Sequence, residues 1–254
     1  MPSFTVCSNM QRFIGIIPAR YASTRFPGKP LADIHGKPMI QVVCEHVSDA
    51  GLYKHVVATD DERIYNAVRA FGGEVVMTSS EHPSGTDRCG EAARKLELQD
   101  EDVVINIQGD EPFISANEIS LLKSLFDNPS VEIATLVKPF SDAAEAQNPN
   151  KVKVVMANTG KALYFSRYPI PFVRDAQCPT PTYYQHLGIY AYRYKTLQKL
   201  IQLKPSALEQ SEKLEQLRWL ENGFEIYAAP CDYNGIGIDT PDDLAQLLKN
   251  SPTL

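Results

Sequence analysis

The sequence predicts an α/β fold with a mixed, mainly parallel β-sheet flanked by helices. Short aliphatic runs alternate with segments whose apolar residues recur at helical spacing. The runs are apolar at consecutive positions, as in strands buried on both faces, and polar or charged residues follow their carboxyl ends. The chain has 254 residues, which is enough to bury the core of one large domain.

The first half of the chain carries the clearest alternation. Phe13, Ile14, Ile16 and Ile17 predict a buried first strand that Pro18 ends. A helix then starts at a cap formed by Asp60 or Asp61 and ends before Gly72. The same patterns predict strands at residues 55–59, 74–77, 103–107 and 131–137, and further helices at residues 90–98 and 117–126.

The second half adds an antiparallel part and two capped helices. Residues 152–156 and 162–165 flank an Asn-Thr-Gly turn signature, which predicts a hairpin, and residues 187–192 alternate as in a strand. Ser206 and Glu209 form a capping box for a helix expected to run to residue 221. Thr240, Pro241 and Asp243 mark the start of a last helix.

Composition excludes several classes of protein. A net charge of -6 argues against binding to nucleic acid or an anionic membrane surface, and no stretch has the apolar length of a membrane span. The five scattered cysteines, Cys7, Cys44, Cys89, Cys178 and Cys231, favour neither a disulfide framework nor a zinc site, so we expect a reducing cytoplasm. Residues 1–12 are expected to be a tail, because they lack the apolar core of a signal peptide.

A basic loop follows the first predicted strand. Arg20, Ser23, Arg25 and Lys29 lie beyond its carboxyl end, where open α/β sheets bind ligands. Three cations close together repel one another without a counter-charge, so a polyanion such as a nucleoside triphosphate fits this loop. Neither a GxGxxG nor a P-loop pattern occurs, and side chains must therefore hold the anion. The alternative is a solvated basic surface loop.

Two acidic segments complete the predicted site. Gln108 and Asp110 follow the strand at residues 103–107; the amide suits reading a base edge, and the carboxylate suits Mg²⁺. Asp239 precedes the cap of the last helix, and capping does not require it, so it is a candidate second magnesium ligand. Each segment also has a structural interpretation, as an ordinary turn or an ordinary loop acid.

The motifs IPARYASTRFPGKPL, VVATDD, SGTDR, NIQGDEP, KALYFSR, HLGIYAYR, LEQLR and GIGIDTPDDL occur in this order. From about Phe13 to its end the chain resembles the 3-deoxy-manno-octulosonate (KDO) cytidylyltransferases, or CMP-KDO synthetases. The resemblance implies a Rossmann-like nucleotide-diphospho-sugar transferase fold over residues 13–254. It also implies a homodimer, with a small antiparallel dimerisation and sugar-binding lobe at residues 149–195.

The resemblance further implies that CTP and KDO react, with Mg²⁺, to give CMP-KDO and pyrophosphate for lipopolysaccharide synthesis. It assigns Arg20, Ser23, Arg25 and Lys29 to the triphosphate, with Arg20 and Lys29 also counted as catalytic. Ser84, Gly85 and Gln108 are assigned to the nucleoside, and Asp110 and Asp239 to the metal and to catalysis. The sugar acid is assigned to Arg167, His186, Tyr190, Glu215 and Gln216.

From the residues alone, each of the five positions assigned to the sugar acid also has a purely structural interpretation. Arg167 would serve equally as a surface residue, Tyr190 as a core residue of a strand, and His186 as a structural histidine. Glu215 and Gln216 would lie on the solvated face of a continuous helix. Two other functions also fit parts of the pattern: a nucleotide-sensing protein, which needs no metal carboxylates or sugar pocket, and a nucleotidyltransferase for another acidic sugar or an alcohol phosphate.

Overall fold

The structure, a computed structural model, describes residues 11–23, 25–175, 177, 181–233, 235 and 237–250. Cys7 and Cys178, and residues 1–10 of the predicted tail, lie outside this part of the chain.

The strands are β1 Phe13–Ala19, β2 Asp33–Ile34, β3 Lys37–Pro38, β4 Lys54–Thr59, β5 Val75–Met77, β6 Val103–Asn106, β7 Ile133–Pro139, β8 Lys153–Met156, β9 Ala162–Ser166, β10 Tyr184–Arg193 and β11 Ile226–Pro230. The α-helices are α1 Met39–Ser48, α2 Glu62–Ala70, α3 Gly85–Lys95, α4 Ala116–Ser124, α5 Tyr194–Leu200, α6 Ala207–Glu212, α7 Glu215–Glu221 and α8 Pro241–Asn250.

Nine strands form one mixed sheet, which confirms the predicted fold class. Seven of them follow the order β11-β7-β10-β6-β1-β4-β5. The pairs β6–β1, β1–β4, β4–β5 and β11–β7 are parallel, and β10 runs antiparallel to both β6 and β7. The carboxyl ends of β1, β4, β6 and β7 therefore share one edge of the sheet, so the residues that follow these strands come close together.

Alternate side chains of the buried strands enter two cores on opposite faces of the sheet. In β1, Ile14 and Ile16 pack on the face covered by α3, α5 and α7, whereas Ile17 and Ala19 pack on the face covered by α1, α2 and α4. This two-sided burial is the reason for the continuous apolar runs in the sequence. A third cluster, which includes Ile34 and Met39 together with Ile238 and Leu247, joins α8 to α1.

The predicted hairpin is confirmed and extends the main sheet. β8 and β9 pair antiparallel around the turn at Gly160, and β8 also pairs with the start of β10. Opposite β7, the register of β10 shifts between Leu187 and Tyr190. Together these strands form the antiparallel part of the fold, next to the parallel strands that end at the basic loop.

Several boundaries differ from those expected, and three of them bear on the site. β1 continues through Pro18 to Ala19, because Pro18 keeps its register opposite Ala58. The helix expected at residues 90–98 is α3, which starts at Gly85, since Ser84 accepts a hydrogen bond from the Asp87 amide and caps it there. The single helix expected from the capping box at Ser206 to residue 221 is wrong, because Lys213 takes a left-handed conformation and separates α6 from α7.

Candidate active site

A cavity of about 240 Å³ opens at the carboxyl edge of β1 and β6. It is lined by all nine residues predicted to bind the nucleotide or the metal, namely Arg20, Ser23, Arg25, Lys29, Ser84, Gly85, Gln108, Asp110 and Asp239. These residues come from four separate segments of the sequence. The parallel topology brings them together, as expected for ligand sites of open α/β sheets.

Within the basic loop, two backbone hydrogen bonds converge on Tyr21. The Tyr21 carbonyl accepts hydrogen bonds from the amides of Ser23 and Gly28, both at 2.9 Å. Gly28 has a φ of 72°, and a Cβ there would lie 3.0 Å from the Tyr21 ring, so the turn requires glycine. Lys29 then begins a short 3₁₀ turn, and its side chain reaches the acidic residues of the cavity.

Lys29 bridges the two predicted metal carboxylates. Its ammonium lies 2.7 Å from Oδ2 of Asp110 and 3.6 Å from Oδ1 of Asp239, and it donates a 2.9 Å hydrogen bond to the carbonyl of Ile238. Arg25 also contacts Asp239, at 3.0 Å. The Lys29 side chain is only 14% exposed, so this pairing is less screened by water than a surface ion pair.

The segment that carries Asp110 lies directly against β1. A Cβ at Gly109 would be 3.0 Å from the carbonyl oxygen of Pro18, so only glycine allows this close approach. Burial and the nearby Asp110 carboxylate raise the pKa of the neighbouring Glu111 to about 7.

This donor set fits magnesium. Asp110 and Asp239 offer hard carboxylate oxygens, and magnesium is usually held by one or two protein carboxylates together with phosphate oxygens and water. No group of three or more histidine, cysteine, aspartate or glutamate residues suited to a metal occurs within the part of the chain that the structure describes. A magnesium ion here would thus depend on the nucleotide's phosphates to complete its coordination.

The opposite wall of the cavity comes from the start of α3. Ser84 caps the helix and Gly85 is its first residue, so both lie at a helix N-terminus. His82, which precedes them, is bonded through Nε2 to Glu91 of the same helix. Glu91 also accepts a 2.8 Å hydrogen bond from the Ser79 amide and pairs with Lys95, so it holds the loop before α3 against the helix.

Among the lining residues that were not predicted to have a role in the site, His82 and Arg88 are the two with titratable side chains. The buried guanidinium of Arg88 donates to Thr78 Oγ1 at 2.5 Å and to Asp60 Oδ2 at 3.2 Å. Asp60 and Arg88 occur in the VVATDD and SGTDR motifs, and Asp60 follows β4 at the same edge as the basic loop. The position of Asp60 after a buried strand was therefore a signal available in the sequence.

The five residues predicted for the sugar acid lie outside the lining of this cavity and fall into two groups. Arg167 donates to the carbonyls of Glu212 at 2.6 Å, Pro149 at 3.0 Å and Lys213 at 3.3 Å, so it connects the end of β9 to the end of α6. Its guanidinium has five N–H donors, and two remain for a ligand.

The second group surrounds the start of α7. Glu215 is the first residue of α7, and it accepts hydrogen bonds from Ser84 Oγ at 2.9 Å and Thr86 Oγ1 at 2.7 Å. It thereby joins the residues predicted for the sugar acid to the wall of the cavity, and burial raises the pKa of Glu215. Gln216 is buried, so the alternative interpretation, a solvated helical face, does not hold for it, and the helix breaks before both residues.

Tyr190 and His186 lie in an aromatic cluster beside Glu215. Tyr190 stacks on Tyr192 and meets Trp219 edge-on, and its buried hydroxyl has no hydrogen-bond partner among the described residues. His186 is placed between Phe165 and Tyr190.

Burial lowers the pKa of His186 to about 3, so the ring is neutral. The single hydroxyl proton of Thr135 is used by the Ile189 carbonyl at 2.7 Å, so His186 donates from Nε2 to Thr135 at 3.1 Å, and Nδ1 is left as an acceptor.

Comparison with known proteins agrees with this geometry. Residues 14–226 match the family model described as cytidylyltransferase. The chain is 55% identical over 247 residues to the 3-deoxy-manno-octulosonate cytidylyltransferase of Parabacteroides distasonis, covering 94% of this chain and 98% of that protein. It is 54% identical over 250 residues to the protein of the same name from Bacteroides thetaiotaomicron, covering 94% and 99%.

Two solved structures are similar to this chain over most of its length. A CMP:2-keto-3-deoxy-manno-octonic acid synthetase complexed with CTP superposes with a TM-score of 0.88 at 45% identity, covering 94% of this chain and 98% of that one. A glucose-1-phosphate thymidylyltransferase from Bacillus anthracis reaches a TM-score of 0.66 at 17% identity, covering 95% and 96%, and shares the fold. The chain belongs to the cytidylyltransferase family and, within it, to the 3-deoxy-manno-octulosonate cytidylyltransferases.

Proposed function

We propose that this protein transfers a cytidylyl group from CTP to 3-deoxy-manno-octulosonate, giving CMP-KDO and pyrophosphate for lipopolysaccharide biosynthesis. The observation that carries this proposal is the pairing of Lys29 with both Asp110 and Asp239 in a cavity that also holds Arg20 and Arg25. A polyanionic nucleotide with a divalent cation matches this arrangement of charges. The names of the relatives, and a related structure solved with CTP, support the choice of substrates.

The reaction is an in-line substitution at the α-phosphorus of CTP. The anomeric hydroxyl of the sugar acid attacks and loses its proton to water, the new P–O bond forms, and the electron pair of the broken P–O bond leaves with pyrophosphate. Arg20, Arg25 and Lys29 neutralise the charge that develops on the leaving pyrophosphate. Positioning and electrostatics supply the rate, and the mechanism uses no covalent intermediate with the protein.

Asp110 and Asp239 are the residues that would hold magnesium. When bound, the ion would supply further positive charge at the phosphate oxygens. The role of the protein is to fix the two carboxylates, which it does through the backbone hydrogen bond from Ile238 to Asp110 and through Lys29. Both carboxylates also draw the cationic loop toward the place where the phosphates would lie.

We assign the base and ribose to the wall formed by Ser84, Gly85 and Gln108, which line the cavity beside the basic loop. Gln108 donates from Nε2 to the carbonyl of Gly188 at 3.1 Å, which fixes the amide and leaves its oxygen as an acceptor. This orientation supports recognition of a hydrogen-bond donor on the nucleoside.

We assign the sugar acid to Arg167, His186, Tyr190, Glu215 and Gln216. Support comes from the two spare N–H donors of Arg167, from the Nδ1 acceptor of His186, and from the unpartnered buried hydroxyl of Tyr190. Arg167 is suited to the carboxylate, because its planar fork offers a two-point contact. The bond between Glu215 and Ser84 links this group to the nucleotide wall.

We also propose a homodimer formed by the lobe at residues 149–195. In this lobe the large apolar side chains of Tyr168, Phe172 and Leu163 are 71%, 79% and 60% exposed, as expected of a surface covered by a partner. Light scattering tests this point. A monomeric mass at micromolar concentration would contradict it.

A cytoplasmic location is proposed as well, supported by the free thiols of Cys44, Cys89 and Cys231. None of the helices in the described ranges has the length and apolarity to cross a bilayer.

The decisive experiment measures pyrophosphate release from CTP, Mg²⁺ and the octulosonic acid. We expect release that requires all three components. A panel of nucleotides and sugar acids separates this function from a related nucleotidyltransferase, which would turn over another acceptor with CTP. A nucleotide sensor would bind CTP and release no pyrophosphate with any acceptor.

A further inference from the structure

An arginine of α2 that does not line the cavity packs on the ring of Tyr21 in the basic loop. The guanidinium carbon of Arg63 lies 3.3 Å from the centroid of the Tyr21 ring. This is well within the distance for a cation–π contact, and a planar guanidinium also stacks on aromatic faces. Tyr21 is the residue whose carbonyl closes the loop onto Ser23 and Gly28.

Arg63 is itself fixed by Asp61. The Arg63 Nε donates to Asp61 Oδ1 at 2.9 Å and Nη2 donates to Oδ2 at 2.6 Å, which is a two-point ion pair. Asp61 is the cap of α2 and also accepts from the Arg63 amide. The guanidinium is therefore tied to the start of α2, directly after β4, a strand paired with β1.

The contact between Arg63 and Tyr21 stabilises a loop whose cations repel one another. Arg20, Arg25 and Lys29 repel one another, and the first two are exposed side chains on irregular backbone. A rigid support from α2 favours the loop conformation in which these cations face the cavity. Because Asp61 neutralises Arg63, the support adds no further net positive charge beside the loop.

We propose that Arg63 is a positioning residue for nucleotide binding: it acts through the Tyr21 ring to hold the basic loop in its binding conformation and does not touch the nucleotide. The proposal rests on the proposed function, in which this loop binds the triphosphate of CTP. It extends the binding machinery to a residue that is 59% exposed and does not line the cavity.

The first test compares three single variants with the unmodified protein by calorimetric titration of CTP. We expect Arg63→Ala to raise the Kd for CTP about threefold to fivefold, while the KM for the sugar acid stays within about 1.5-fold and the Tm within about 2 °C. Arg63→Lys should recover little, since a lysine keeps the charge and loses the planar stack and the two-point pair. Arg69→Ala, which removes an exposed arginine near the other end of α2, should leave the Kd unchanged.

The second test is a double-mutant cycle of Arg63→Ala with Tyr21→Leu. If Arg63 acts through the ring, the double variant binds CTP no more weakly than the weaker single variant. Additive losses in the cycle would overturn the proposal, as would full recovery by Arg63→Lys or an unchanged Kd for Arg63→Ala.

Failure of this inference is distinguishable from failure of the proposed function. If the unmodified protein binds CTP and Arg20→Ala weakens binding, but Arg63→Ala does not, only the inference fails. If the unmodified protein does not bind CTP, the function itself is wrong.

Discussion

The backbone amide of Ile238 donates a 2.9 Å hydrogen bond to the carbonyl oxygen of Asp110. This contact joins the loop after β6 to the loop before α8, two segments more than a hundred residues apart in the sequence. As a result, Asp110 and Asp239 both face Lys29. The backbone contact and the ion pairs with Lys29 therefore set the geometry of the proposed metal site together.

We predict that Asp110→Asn and Asp239→Asn each reduce turnover by at least about a hundredfold. Each change removes one charged ligand of magnesium, an effect expected to cost several kcal/mol of transition-state stabilisation. The fold should be retained, because the amide is isosteric and the Ile238 contact uses the backbone. Pyrophosphate release at subsaturating magnesium gives the rate, and circular dichroism checks the fold. Near-normal turnover in either variant would show that its carboxylate is not a ligand.

We predict that Arg167→Ala specifically impairs use of the sugar acid. Loss of a desolvated charge pair with the carboxylate should raise the sugar acid's KM or lower kcat by about 2–5 kcal/mol, with little change in CTP affinity. The variant should also lose stability, since three backbone carbonyls lose their donor. Arg167→Lys should rescue turnover in part, because it keeps the charge without the fork.

Calorimetry with CTP separates the two effects of Arg167→Ala. Equal losses toward both substrates would mean that Arg167 is only a packing residue, and unchanged sugar-acid kinetics would refute the assignment.

We predict that Glu91→Gln weakens the contacts that hold the loop before α3 against that helix. Burial opposes ionisation, but hydrogen bonds from Lys95, the Ser79 amide and His82 prevail and lower the pKa of Glu91 to about 2. A lowered carboxylate pKa contributes stability above the unfolded value near 4.3, and this contribution is lost as pH falls toward 2. The variant should therefore be about 1–2 kcal/mol less stable at pH 7, and the difference from the unmodified protein should shrink below pH 4.

The same variant should raise the KM for CTP more than that for the sugar acid, because Glu91 holds the loop with His82 and Ser84. Glu81→Gln, at an exposed carboxylate in this loop, is the control. A uniform pH-independent loss of stability with unchanged kinetics would contradict this prediction.

Part of the grouping of residues around the cavity could be predicted from local sequence patterns. Arg20 and Asp110 each follow a strand that is apolar on both faces, and parallel strands place their carboxyl ends at one edge. The cap at Thr240 fixed the start of α8 and so left Asp239 just before it. These inferences depend on local patterns and on one rule of topology, whereas Ser84 and Gly85 were assigned only through the resemblance to the cytidylyltransferases; the structure places all nine residues around one cavity.

The other half depends on contacts that local patterns do not encode. The break between α6 and α7 occurs at Lys213, a residue with no special preference for a left-handed conformation, so a continuous helix was the natural expectation. That break turns Glu215 toward Ser84 and buries Gln216. The stack of Arg63 on Tyr21 likewise joins residues from different elements, and only the packed structure reveals it.

Our last prediction concerns the pH dependence of stability at His186. Its pKa is lowered to about 3 by burial, whereas an unfolded histidine titrates near 6.5. The folded protein therefore binds fewer protons than the unfolded chain between these values, so stability is fully present above pH 6.5 and falls as the pH decreases toward 3.

For this one group the expected loss between pH 7 and pH 5 is about 1–2 kcal/mol. The variant His186→Gln keeps a donor toward Thr135 and removes the titrating ring. Urea unfolding of both proteins at pH 7 and pH 5 measures the difference, and the variant should lose less stability on acidification. Equal losses would mean that the ring is already protonated in the folded protein at pH 5, and the neutral Nδ1 acceptor proposed for the sugar acid would then be wrong.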